Sequence, residues 1–285
     1  MIRKLEKHEF PYQLLQIPQP PEHLYIEGML PKADAKLLCV VGARQNTHYG
    51  KEVTEKLIAS LAGKNISIVS GLAMGIDTIA HKAALKAGLH TLAVPGSGLN
   101  RKVLYPSINK NFADEIIKSG GGLLSEFEPD FVSTMWAFPK RNRIMAGLCH
   151  AVLIIEAEKK SGTLITARLA TDYNKDVFVV PGQIFAQNSE GPHLLLRLGA
   201  TPITCEKDLH EALGFDTLFE NLTPEQKYFD CSEQEKKIIS ILKDSMSRDD
   251  LIRAVGIPIH ELNMLLSLLE IKGHIQEHLG LIHLA

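Results

Sequence analysis

The stretch Leu37-Leu-Cys-Val-Val-Gly-Ala-Arg44 sets five uninterrupted apolar residues against a glycine and a cation. A strand with one wet face would alternate apolar with polar, so an unbroken short run reads as a strand covered on both sides. The same unit recurs down the chain: a short apolar run, a loop bearing Gly, Ser or Pro, then a stretch with helical period. The later runs are Ile66-Ser-Ile-Val69, Thr91-Leu-Ala-Val94, Gly122-Leu-Leu124, Ala151-Val-Leu-Ile-Ile155 and Val177-Phe-Val-Val180. Doubly covered strands alternating with helices predict an α/β fold, an extended Rossmann-like, doubly wound parallel sheet over residues 33–213. Residues 1–32, rich in proline and carrying Tyr12 and Tyr25, are expected to be an extended lead-in packed on that domain. Residues 214–230, acidic and aperiodic, suit a linker. Residues 231–285 read as three helices (Ser232–Lys243, Ser247–Val255, Pro258–Lys272) and two short strands around Leu279-Gly280, the pattern of a small winged-helix-like domain.

Composition narrows the classes. The 285 residues are 45% hydrophobic, and no apolar run approaches the roughly 18 residues that span a bilayer. No signal-peptide core follows Met1-Ile-Arg-Lys-Leu-Glu-Lys, so a cytoplasmic location without a membrane partner is expected. Cys39, Cys149, Cys205 and Cys231 form no C-x-x-C pair and have no histidine at zinc-ligand spacing, so no metal is expected, and three of them, in or beside apolar runs, read as small core residues. The net charge of -2 hides a segregation: residues 1–205 carry 23 Lys+Arg against 18 Asp+Glu, residues 206–250 carry 6 against 12, and the remainder 2 against 3. The first region permits a polyanion site.

In a parallel sheet the carboxyl ends of the strands share one edge, where ligands bind. After the strands come Gly42-Ala-Arg44, Ser70-Gly71, Pro95-Gly96-Ser97-Gly98, Ser125-Glu126, Ser161-Gly162-Thr163 and Pro181-Gly182. Any one of these glycines is explained by its turn. Several together beside helix N-termini, with Arg44 among them, point to a ligand with phosphates. The first strand lacks G-x-G-x-x-G, and no Walker loop, G-x-S-x-G elbow or H-E-x-x-H occurs, so neither a cofactor nor an enzyme of those types is expected. Asp77 and His81, four apart on a predicted helix, could pair; a first-turn acid favoured by the helix dipole is the plainer reading. Glu126 is read as orienting a neighbouring arginine or as acting on a sugar.

The segment Ala137-Phe-Pro-Lys-Arg-Asn-Arg-Ile-Met-Ala146 then falls at the mouth of the crevice. A phenylalanine among Lys140, Arg141, Asn142 and Arg143 is what single-stranded nucleic acid requires, cations for phosphate and an aromatic face for a base. A helix N-terminus with solvated charges and a core Phe138 fits the pattern equally well.

Together these motifs resemble the DNA-processing protein A (DprA, also called Smf) family. The matching text is Val40-Val-Gly-Ala-Arg44 with Tyr49-Gly50, Ser70-Gly-Leu-Ala-Met-Gly-Ile-Asp77, Pro95-Gly-Ser-Gly-Leu99 with Tyr105-Pro106, Ser125-Glu126, Phe138-Pro-Lys-Arg-Asn-Arg143, Ser161-Gly-Thr-Leu-Ile-Thr-Ala167 and Val180-Pro-Gly182. The resemblance implies a non-enzymatic homodimer that binds single-stranded DNA, protects it and loads RecA onto it during natural transformation. It makes Arg44, Phe138, Lys140, Arg141, Asn142 and Arg143 DNA contacts, with Ser161, Gly162 and Thr163 in the same pocket. Gly42, Ser70, Gly71 and Gly96 complete the expected site. The sequence departs from the family at Gly191-Pro192-His193, ahead of Leu194-Leu-Leu196, the candidate dimer region.

In the C-terminal segment the third predicted helix is expected to expose chiefly His260, Glu261, Asn263, Ser267, Glu270 and Lys272, a poor match for phosphate, so this domain is expected to meet protein rather than duplex DNA. Two other functions stay open. One is a nucleotide phosphoribohydrolase of the lysine-decarboxylase-like (LOG) type, against which Lys159 and Thr166 replace a glycine and the glutamate of its loop. The other is a Rossmann-like nucleotide sensor.

Overall fold

Alternation along β3 (Lys36–Val41) divides the core in two: Leu37, Cys39 and Val41 enter one apolar cluster, Leu38 and Val40 another. Successive side chains of a strand leave opposite faces, so a wholly apolar strand must be covered twice. The computed structural model describes residues 1–215, 231–242, 246–272, 274–278 and 281–284. Its central strands follow the sequence reading to within a residue or so: β4 (Ile66–Ser70), β5 (His90–Ala93), β6 (Gly122–Ser125), β7 (Ala151–Ile154) and β8 (Asp176–Val179) form one parallel set with β3, which pairs directly with β4 and β7. With β1 (Arg3–Lys4), β2 (Tyr25–Gly28) and β9 (Thr201–Pro202) they make a nine-stranded sheet in the order β1-β2-β6-β5-β4-β3-β7-β8-β9.

Helices cover both faces. Leu57 and Ile58 of α2 (His48–Ser60), Ile76, Ala80 and Ala84 of α3 (Ile76–Lys86) and Leu209 of α8 (Glu206–Ala212) meet the Leu38 side. Leu14 of α1 (Tyr12–Leu15), Ile144, Met145 and Leu148 of α5 (Ala137–Leu148) and Ala167 and Ala170 of α6 (Thr163–Asp172) meet the Cys39 side. Phe112 and Ile116 of α4 (Lys110–Lys118) pack with Ala93 and Leu123 in a smaller cluster. Beyond β8 lies α7 (Glu190–Arg197).

The first 32 residues are more than an extended lead-in. Tyr25–Gly28 pairs antiparallel with β6, and Arg3–Lys4 with β2, so one edge of the sheet is antiparallel. Buried Leu14 and Ile17 lie against Gly147 of α5, where an added Cβ would stand 2.6 Å from Ile17. Four-residue elements leave too short a period for a sequence pattern to show, and the prolines between them mask it.

Two loops are fixed by particular chemistry. Thr47 caps α2 by accepting the Gly50 N–H at 3.1 Å, and its own N–H donates at 2.9 Å to the Glu156 carboxylate after β7. Gly75 precedes α3 at φ +78°, and a Cβ there would collide with the carbonyl oxygens of Ala43 and Arg44. Only glycine holds both the left-handed backbone and the close approach that seats the Arg44 loop.

The chain divides into two compact units, Met1–Asp216 and Thr217–Ala285. The second has helices Glu233–Ile241, Arg248–Val255 and Ile259–Ile271 and antiparallel strands Met246–Ser247, Ile275–His278 and Leu281–Leu284 around a core that includes Ile238, Leu251, Leu262, Leu269 and Ile282. Residues 216–230 of the expected linker and the Leu279-Gly280 turn lie outside the described residues. The face of the third helix differs from expectation. Glu261, Asn263 and Lys272 are partly buried, accepting from Gln234, accepting from Arg248 and pairing with Glu235, whereas Ile259, Met264, Leu268 and Ile271 are exposed beside His260, Ser267 and Glu270. Among the described residues no helix is long and apolar enough to cross a membrane.

Candidate nucleic-acid interface

The chain lays down β3, β4, β5 and β6 in one direction across the sheet and then returns to place β7 on the other side of β3. At such a switch point the loops leaving neighbouring strands diverge, and a crevice opens at their carboxyl ends. Here it encloses about 510 Å³ between Gly42–Gln45 after β3, Glu158–Thr163 after β7 and the first half of α5. Of the expected site, Gly42, Arg44, Phe138, Arg141, Asn142, Ser161, Gly162 and Thr163 line it. Gly71 lines a small adjoining recess with Arg44, Tyr105 and Phe138.

Phe138 stands half-buried at the rim. Gly96 lies against its ring, since a Cβ there would come within 2.7 Å of Cδ1, and Tyr105 packs on it at 5.5 Å between centroids. The exposed Arg44 guanidinium sits 5.5 Å from the ring centroid, within cation–π range. The ring is thus braced on two sides, with a cation beside it.

The other arginines have different work. Arg141 is 6% exposed and donates to the carbonyls of Gly71, at 2.6 Å, and Val94, while its Nε donates to Asn142 Oδ1 at 3.1 Å. It ties the loops after β4 and β5 to α5. Buried Asp77 accepts N–H groups from Gly71 at 3.0 Å and Ala73 at 3.4 Å. Burial pushes the Asp77 carboxyl up, against the pull of the Arg141 charge and those two N–H groups; burial likewise lowers the Arg141 pKa, with Asp77 opposing. Arg143 donates to the Gln19 carbonyl and to Glu126, whose carboxyl is raised by burial against the pull of Arg143 and Lys140. Glu126 thus orients an arginine. Asp77 stands in the first turn of α3, the plainer of the two sequence readings, and His81 is engaged elsewhere: its Nδ1 meets Thr91 Oγ1 at 2.7 Å, and burial pushes its pKa down to about 3, keeping the ring neutral.

Ser70 is buried with its hydroxyl donating to the Val40 carbonyl at 2.7 Å, and Gly96 is buried beneath Phe138, so both shape the edge from below. Thr163 donates to the Gly42 carbonyl at 3.2 Å, joining the two loops across the switch point, and Asn142 of α5 donates to the Gly162 carbonyl at 3.5 Å. Lys140 is outside the crevice, half-exposed, with its ammonium 5.5 Å from the Phe127 ring and 3.9 Å from Glu126. Among the crevice residues that the sequence reading gave no role are Gln45, Met135, Lys160 and the exposed acid Glu158. Lys160 was within reach, as the residue just before Ser161-Gly162-Thr163.

A crevice at the switch point, floored by glycine loops and lined by Arg44, Lys160, Glu158 and the Phe138 ring, defines a Rossmann-like protein with its ligand-type cleft at the strand ends. The chain belongs to the DNA recombination-mediator protein A family, whose model matches residues 2–214, and the DprA winged helix domain matches residues 223–280. It is 35% identical over 272 residues to protein Smf of Escherichia coli, covering 93% of this chain and 72% of that one. It is 41% identical over 200 residues to DNA processing protein DprA of Streptococcus pneumoniae, covering 70% of each. The solved structure of the S. pneumoniae protein matches with a TM-score of 0.69 at 39% identity, over 74% of each chain. That of DNA processing protein A from Helicobacter pylori, described for its unique single-stranded DNA binding mode, matches with a TM-score of 0.67 at 33% identity, over 74% of this chain and 95% of that one.

Proposed function

We propose that the crevice grips single-stranded DNA, and that the chain is a cytoplasmic, non-enzymatic homodimer that protects the strand and hands it to RecA in natural transformation or recombination. The observation that carries the grip is the exposed Arg44 guanidinium beside the braced Phe138 ring at the mouth of the switch-point crevice. A base stacks on the ring while its phosphate meets the cation, and a duplex, with its bases hidden, cannot use the platform. The likeness to the H. pylori protein supports this reading. The crevice threonine Thr166 stands where the hydrolase loop would need its acid, which supports grip over catalysis.

Arg44, Lys140 and Lys160 are exposed, whereas Arg141 and Arg143 are engaged by protein acceptors. Three exposed cations per protomer, two at the crevice and Lys140 beside it near Glu126, fewer than the run of basic residues suggests, predict a log–log salt slope of about -2 on single strands. Fluorescence anisotropy of a labelled single strand across a salt series checks this, and equal binding of single strand and duplex would sink the reading. The dimer reading rests on the apolar exposure of Ile184, Phe185 and Leu198 around α7, and sedimentation of the purified chain tests it.

A further inference from the structure

Trp136, immediately ahead of α5, packs against Phe127 and Phe131 without being buried: 55% of it is exposed. Its ring meets Phe127 at 5.8 Å and 72° and Phe131 at 5.5 Å and 61°, while those two rings stack on each other at 4.5 Å and 14°. The Lys140 ammonium stands 5.7 Å from the indole centroid. The loop beneath is pinned to its neighbour, since Gly98 donates to the Phe131 carbonyl and Asn100 to that of Pro129, both at 2.9 Å. Val132 and Met135, flanking Trp136, are 65% and 86% exposed. Met135 also lines the crevice, so the apolar patch runs on from the rim where Phe138 sits.

A core aromatic would be covered, and a solvated loop would not invest three packed rings. A rigid, half-open indole with an ammonium at its side repeats the chemistry of Phe138 with Arg44. We propose that Trp136 and Lys140 form a second base-stacking station, taking a nucleobase and its phosphate from the same strand after it leaves the crevice. The inference rests on the crevice being a single-strand site. Lys140, outside the crevice and 3.9 Å from Glu126, acquires through it a specific task. The same loop also carries the exposed acids Glu128 and Asp130, but the patch commits to nucleic acid because an ammonium lies against its indole and its apolar surface is continuous with the crevice.

Trp136 is the chain's only tryptophan, so its emission reports this station alone. The experiment titrates the full chain with oligothymidylates of about 15 and about 4 nucleotides, reading tryptophan emission and the anisotropy of the labelled oligomer together. Expected are quenching by the long oligomer, a roughly tenfold affinity loss for it in Trp136→Leu, a smaller loss in Trp136→Phe, and a loss that shrinks on the short oligomer. Long-oligomer binding seen by anisotropy with unchanged emission would overturn the second station and leave the crevice reading standing. So would an equal loss on both lengths, which marks a folding effect, or an emission change on concentrating the protein without DNA, which marks a protein contact. No anisotropy change with either oligomer would overturn both readings.

Discussion

A protein carrying Arg44→Ala and Phe138→Ala is expected to lose roughly 30- to 1,000-fold in affinity for single-stranded DNA while keeping its fold. Stacking of a base on an aromatic ring is worth about 1–3 kcal/mol, and loss of a phosphate-facing guanidinium adds about 1 kcal/mol, so the sum of about 2–4 kcal/mol converts at tenfold per 1.4 kcal/mol. Arg44 is exposed and Phe138 half-buried over Gly96, so truncation removes the proposed DNA contacts and little of the apolar core. The two single variants separate the terms: Arg44→Ala flattens the salt dependence by somewhat under one unit of slope, and Phe138→Ala leaves the slope and lowers the intercept. Anisotropy titrations at several salt concentrations, with urea unfolding as the control, check all three. An unchanged affinity in the double variant would remove the crevice from the function.

Arg141→Ala is expected to act in the opposite register, destabilising the fold by about 3–5 kcal/mol. The truncation leaves the Gly71 and Val94 carbonyls short of a charged donor and strips the counter-charge from buried Asp77. Asp77→Asn in the same chain removes the uncompensated carboxylate, so the double variant should recover part of the loss, a coupling that a cycle of urea midpoints measures. A midpoint unmoved by Arg141→Ala, with DNA affinity reduced, would instead make Arg141 a direct ligand contact.

That contrast marks what the sequence could and could not convey. The central strands were legible because each is a doubly buried run with a glycine or hydroxyl stop, a pattern that local chemistry enforces. The chain order of the loops put Arg44, Phe138 and Ser161–Thr163 on one edge, and the structure brings them into one crevice. What the run Lys140-Arg-Asn-Arg143 could not disclose is the direction of each side chain. Successive helical residues turn through about 100°, so four adjacent polar groups face four ways. Arg141 turns in to the Gly71 and Val94 carbonyls, Arg143 reaches Glu126 and Gln19, and Lys140 turns out. The carbonyl and carboxylate partners of Arg141 and Arg143 lie 17 to 124 positions away in sequence, beyond any local pattern. The third helix of the C-terminal unit failed for a related reason: Glu261, Asn263 and Lys272 are drawn in by partners on other elements, which leaves Met264, Leu268 and Ile271 facing out.

The antiparallel edge strand has a bearing on how the molecule comes into being. Tyr25 pairs with Ser125, one hundred positions later, and Leu14 and Ile17 are covered by α5, which is later still. During synthesis the segment 1–28 is made well before its seat, carrying Leu14, Leu24 and Ile26 uncovered until β6 and α5, about a hundred residues later, are complete. Pairings of such sequence separation are slow to close, and apolar segments left waiting are where chains associate wrongly. The prolines between Pro11 and Pro31 disfavour regular strand in the waiting segment, which keeps its apolar residues from pairing with a neighbouring chain before β6 arrives.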